Sequence, residues 1–111
     1  RPLNRYEIRK DGFACYMAGG DEEVLVTKPL IFEGSELRLN FSTSAYGYIY
    51  VSVLDDNGNA LSDGESVEVF GDNIDRRVVF PESFALGERA GTAVRLRFRM
   101  RDAKLFSMKF E

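Results

Sequence analysis

Val94-Arg95-Leu96-Arg97-Phe98-Arg99-Met100-Arg101 has the period of a β-strand and no other regular period. Four apolar side chains alternate with four arginines, and a strand sends successive side chains to opposite faces. A helix would put the arginines on two opposite sides and leave no single dry face. The stretch therefore describes a strand with one dry face and one charged, wet face.

Working outward, Asp102-Ala103 turns the chain, and Phe106, Met108 and Phe110 are expected to face one way on a last strand. Upstream, Pro81 to Gly91 is the least strand-like stretch and reads as a loop or one helical turn, with Phe84 and Leu86 pointing inward. Val67-Glu68-Val69-Phe70 and Arg77-Val78-Val79-Phe80 read as short strands. Asp56-Asn57-Gly58-Asn59 is a hairpin signal, because Asn-Gly tolerates the positive φ of tight turns. Before it, Tyr46 to Leu54 forms a long strand with Ile49, Val51 and Val53 on one face. A Ser/Thr break separates that strand from Leu37, Leu39 and Phe41, which alternate with Arg38, Asn40 and Ser42. Glu33-Gly34 is a turn, Pro29 belongs at a strand edge or break, and Val24 to Thr27 is a strand. Asn4 to Lys10 and Phe13 to Ala18 are the first two strands, separated by Asp11-Gly12. About eight or nine short strands with regular turn signals predict an all-β fold, a two-sheet antiparallel sandwich of jelly-roll or Greek-key type.

The chain has 111 residues, enough for one core without metals or disulfides, and reads as a single domain spanning 1–111. It opens at Arg1-Pro2 without a Met, which gives the expectation of a piece from the C-terminus of a larger protein. Its formal net charge of -3 offers no field to attract a polyanion, so no nucleic-acid partner is expected. No apolar run approaches a membrane span, and no membrane partner is expected. The single Cys15 cannot form an internal disulfide and reads as a packed thiol. Histidine is absent, which removes Ser-His and Cys-His nucleophile pairs, imidazole bases and the commoner zinc sites.

Tyr46, Tyr48 and Tyr50 form a stripe on the face opposite Ile49, Val51 and Val53. Outward-pointing rings can pair across strands, bury themselves against a neighbouring domain, or stack on a sugar. Arg95, Arg97, Arg99 and Arg101 read as an ion-pair face neutralised from adjacent strands, with Glu65, Glu68 and Glu36 available. Asp55, Asn57, Asn59 and Asp63 resemble the start of a calcium loop, but Ala60 stands where Gly is required and Ser66 where a bidentate Glu is required. Neither metal nor cofactor is expected. Paired carboxylates could hydrolyse glycosides, but none sits in an aromatic, cleft-like context that would raise a pKa, so no catalytic residue is assigned.

Several stretches together resemble a known module. They are Arg9-Lys10-Asp11-Gly12-Phe13, Val26-Thr27-Lys28-Pro29-Leu30 and Phe32-Glu33-Gly34, followed by Leu37-Arg38-Leu39-Asn40, Leu54-Asp55-Asp56-Asn57-Gly58, Val94 to Phe98 and Ala103-Lys104-Leu105-Phe106-Ser107. In this order they resemble the C-terminal β-sandwich that follows a five-bladed β-propeller in bacterial glycoside-hydrolase-like proteins of the family 32 and 43 type. The resemblance implies a non-catalytic accessory role in carbohydrate metabolism: packing on and stabilising an upstream catalytic domain, whose carboxylates lie on the propeller. Members of that type tend to carry polar residues at the positions of Tyr48 and Tyr50, so two tyrosines here count against a purely solvated face and keep an interface among the readings. The alternative is a carbohydrate-binding module that uses Tyr46, Tyr48 and Tyr50.

Overall fold

The computed structural model describes residues 5–7 and 15–111. Parts of the first two expected strands, including Ile8 and Phe13, lie outside these. The described chain is mostly strand: β1 (Arg5–Glu7), β2 (Tyr16–Ala18), β3 (Glu23–Val26), β4 (Leu37–Asp55), β5 (Ala60–Glu65), β6 (Asp72–Arg77) and β7 (Val94–Phe110), with one 3-10 turn at Leu86–Arg89. These join in a single antiparallel sheet. Seven strands, two of them very long, replace the eight or nine short ones that the sequence suggests. β4 and β7 pair from Leu37↔Phe110 to Asp55↔Val94 and form the spine. β1, β2 and β3 follow one another along the free side of β7, while β5 and β6 follow one another along the free side of β4.

The spine is not straight. Nineteen residues of β4, at about 3.3 Å each, would span roughly 60 Å if extended. The molecule's longest dimension is 34 Å. The bend falls where Thr43↔Ala103 gives way to Tyr48↔Arg101, a jump that leaves four residues of β4 opposite Asp102 alone. Asp102 takes a φ of 42° there, and a Cβ on Gly47 would collide with the Asp102 carbonyl. The outer runs bend on the same line. Asp102 N–H donates to the Gly19 carbonyl at 2.8 Å, and Thr43 N–H donates to the carbonyl of Gly71, itself at φ 113°. Gly19, Asp102, Gly47, Thr43 and Gly71 thus mark a crease across the whole sheet. The Ser/Thr break read from the sequence is this crease, not a gap between strands.

One buried cluster draws on both sides of the crease. Leu37, Leu39, Phe41, Leu105, Met108 and Phe110 come from one half, and Ile49, Val51, Val53, Val94, Leu96, Phe98 and Met100 from the other. Phe32 lies flat on Phe110, with ring centroids 4.3 Å apart. Phe84 and Leu86 are buried beside the 3-10 turn, as expected. Burial of this size is the main stabilising term, at about 1.5–3 kcal/mol per large apolar side chain.

Two expectations fail for identifiable reasons. Phe106 does not share a face with Met108 and Phe110. The register slips between Asn40↔Ser107 and Phe41↔Leu105, and Phe106 is the extra residue of a bulge that hands the inner row to Leu105. The short strands expected at 67–70 and 77–80 are not strands, apart from Arg77 at the end of β6; the strands beside them are the polar runs β5 and β6, which pair at the edge of β4, where one side needs no apolar alternation. Val69 and Val78 still reach the core, Val69 through a reciprocal pair of backbone hydrogen bonds with Ile49 and Val78 through one to the Leu37 carbonyl.

Candidate functional site

The outward face of one half carries the tyrosines. β4 brings Tyr50 opposite Arg99, and β3 brings Val24 to the other side of Arg99, so strand register builds the row Val24–Arg99–Tyr50. The next row is Val26–Arg97–Ser52–Glu65. Tyr48 and Tyr50 are half-buried and meet edge to face, with centroids 5.4 Å apart at 64°. Tyr46 does not join them. Gly47 at the crease breaks the alternation, and Tyr46 stands 83% exposed.

Arg99 holds the face together. Its guanidinium lies 4.3 Å from the Tyr50 ring centroid and pairs with Glu22 at 3.1 Å and Glu65 at 3.3 Å. The Tyr48 hydroxyl donates to Glu22 at 2.6 Å, and the Tyr50 hydroxyl donates to Glu68 at 3.3 Å. Arg97 donates to Ser52 Oγ, which donates in turn to Glu65. The electrostatics follow from these contacts. The Tyr48 hydroxyl, with help from Arg99, holds the Glu22 carboxyl below the usual range. The Tyr48 phenol is pushed up, first by its bond to Glu22. Tyr50 is pushed up by desolvation first and by the Glu68 charge second. Desolvation is the largest influence on Arg99 and opposes its charge, yet Glu22 and Glu65 prevail and raise its pKa.

Of the acids expected beside the arginine row, Glu65 meets Arg99, but Glu68 serves Tyr50 and Glu36 serves Arg38 on the other half. Arg95 donates instead to the Asp56 and Thr27 carbonyls. Glu22 was not foreseen. Its signal was the polar turn Asp21-Glu22-Glu23, whose place beside Arg99 follows only from the pairing of β3 with β7.

The calcium-like loop is a self-contained hairpin tip. Asp55 Oδ1 accepts the Asn57 and Asn59 N–H groups, each at 2.9 Å, and Oδ2 accepts the Asn59 side-chain amide. Those bonds, the Asn59 N–H first, hold the Asp55 carboxyl below its usual range. Gly58, at φ 87°, takes the positive φ, whereas Asn57 does not. No group of three or more His, Cys, Asp or Glu side chains among the described residues is arranged to hold a metal. Cys15 is a free, half-buried thiol.

A second surface feature lies on the outer side of β4 at the crease. Thr43 N–H donates to the Gly71 carbonyl at 2.7 Å and Gly71 N–H to Thr43 Oγ1 at 2.9 Å, which ties β4 at the crease to Gly71, the residue after Phe70. Phe70 is 59% exposed and Ile74, on the bulge of β6, 80%. Comparison of the chain with protein-family models, curated proteins and solved structures returns no match.

Proposed function

We propose that this chain is a non-catalytic accessory domain that packs against and stabilises a glycosidase-like catalytic domain of the same protein. In this reading the two halves of the creased sheet are the two layers of a jelly-roll-like sandwich, with the buried cluster between them. The observation that carries the proposal is the exposure of Tyr46, Phe70 and Ile74 around the crease. Large apolar side chains left exposed on a small domain suit burial against a partner. The resemblance of the ordered sequence stretches to a propeller-associated sandwich supplies the identity of that partner.

The tyrosine face favours this role over sugar binding. A sugar platform needs open ring faces, but the guanidinium of Arg99 covers one face of Tyr50, and Tyr48 meets it edge-on. Both hydroxyls are already bound to glutamates. Glu22, held ionised by its neighbours, is the wrong kind of acid to protonate a leaving group.

The test uses the full-length gene product with and without residues 1–111. Removal is expected to lower the melting temperature and solubility of the remainder, and Tyr46→Ser with Phe70→Ser and Ile74→Ser in the intact protein to weaken it in the same direction. A remainder that keeps its melting temperature and activity, or a gene product with no domain beside this one, would overturn the proposal. Calorimetric heats with polysaccharides that vanish in Tyr46→Ser would transfer support to the sugar-binding alternative.

A further inference from the structure

The hairpin tip between β4 and β5 carries chemistry that the packing role does not use. Asn57 is followed by Gly58, and both are exposed. Glycine offers no side chain to hinder its own backbone nitrogen, which can approach the carbonyl carbon of the preceding asparagine side chain. The other described asparagines precede bulkier residues: Asn40 precedes Phe41, Asn59 precedes Ala60 and Asn73 precedes Ile74. Two of them are also engaged through their side chains, Asn59 with Asp55 and Asn73 with the Asp75 N–H.

We propose that Asn57-Gly58 is a site of spontaneous deamidation that the folded hairpin keeps closed through Asp55. In the reaction the Gly58 nitrogen forms a bond to the Asn57 side-chain carbonyl carbon, and the bond from that carbon to its NH2 group breaks. The nitrogen's proton leaves with the NH2 group as ammonia. Water then opens the five-membered imide at one carbonyl or the other, leaving aspartate or isoaspartate at position 57. Nothing is oxidised or reduced, and water is the one co-reactant.

The structure restrains the Gly58 nitrogen directly and the backbone of Asn57 beside it. The Gly58 N–H, which must give up its proton, donates to the Asp55 carbonyl at 3.0 Å. The Asp55 carboxylate fixes the turn from the other side, by accepting the Asn57 and Asn59 N–H groups. Attack requires the turn to open, and Asp55 is the residue that holds it shut. The outcome would reach beyond the tip. Isoaspartate adds a backbone carbon inside a short loop, and loop length sets hairpin register. β5 carries Glu65, which binds Arg99 and Ser52 on the tyrosine face.

The experiment incubates the full chain at mildly alkaline pH and follows each asparagine by peptide mapping with isoaspartate detection. In urea, Asn57 is expected to convert faster than Asn40, Asn59 and Asn73; equal conversion at all of them would overturn the assignment of the site. In the folded state, Asp55→Ala is expected to speed conversion by about tenfold, as the three hydrogen bonds to its carboxylate are lost. Asp55→Asn, which keeps an oxygen acceptor, should return most of the protection, and Asn57→Gln should abolish the product. Equal rates in the folded chain and its Asp55→Ala variant would remove the role of Asp55. If that variant does not fold, the folded-to-urea rate ratio of the unaltered chain decides, and a ratio near one overturns the proposal.

Discussion

The two halves of the sheet share an inner face but balance their outer faces differently. On one half Arg99 lies between an aromatic ring and two glutamates, and the tyrosine hydroxyls complete the network. On the other half register places Arg38 between Lys109 and Arg77, three cations in a row. Glu36, Glu111 and Asp75 gather around Arg38, and Glu111 and Asp75 also reach Lys109. Glu111 is fixed through its backbone too, since its carbonyl accepts the Ser35 and Glu36 N–H groups. Lys109 first, and then Arg38, holds the Glu111 carboxyl below its usual range. The same alternation therefore makes one face that combines aromatic, hydrogen-bonded and ionic contacts, and another that is almost wholly ionic.

The largest expected effect tests what the halves have in common. Phe98→Ala and Phe41→Ala remove fully buried rings from opposite sides of the crease. Each should cost about 3–5 kcal/mol and melt the chain in a single transition. Two separated transitions in denaturant melts would mean that the halves do not share a core.

A smaller effect separates the faces. Arg99→Ala loses two ion pairs and a cation–π contact and should cost about 1 kcal/mol. Arg38→Ala also loses ion pairs, but it relieves the repulsion between cations in its row, so its cost should be about half a kcal/mol or less. Urea midpoints would rank the two, and the reverse order would contradict this reading of the register.

pH sharpens the contrast further. Glu22 and Glu111 have lowered folded-state pKa values, so their contribution is present above the ordinary carboxylate range and is lost as pH falls through the folded values. Both faces should weaken in acid. Tyr48 and Tyr50 have raised values, so their contribution is present below the ordinary tyrosine range and is lost as pH rises through the folded values. The tyrosine face should therefore weaken in alkali. Melting temperatures across the alkaline range should therefore fall less steeply in Tyr48→Phe/Tyr50→Phe than in the unaltered chain, and parallel curves would contradict this.

The inner rows were legible because each is a local pattern: Leu37-Leu39-Phe41, Ile49-Val51-Val53 and Val94 to Met100 alternate without interruption. The hairpin at Asp56 to Asn59 and the inward Phe84 and Leu86 were legible for the same reason. What the sequence hid was non-local. Nothing in Phe106 announces that it is the bulged residue, since the slip is defined only against Asn40 and Phe41 on another strand. The tyrosine stripe looked like three equivalent residues because alternation counts Gly47 as one step, whereas at the crease it marks a change of direction. Two of the three aromatic positions belong to the site, and the acid that completes it, Glu22, comes from a turn whose partner strand lies more than seventy residues away.

Amide hydrogen exchange along β4 and β7 tests the creased single sheet most directly. Val51, Val53, Leu96 and Phe98 on one side, and Leu39, Phe41, Leu105 and Met108 on the other, should exchange slowly with a common opening free energy equal to that of global unfolding. Rapid exchange throughout either set, with the other still protected, would contradict it.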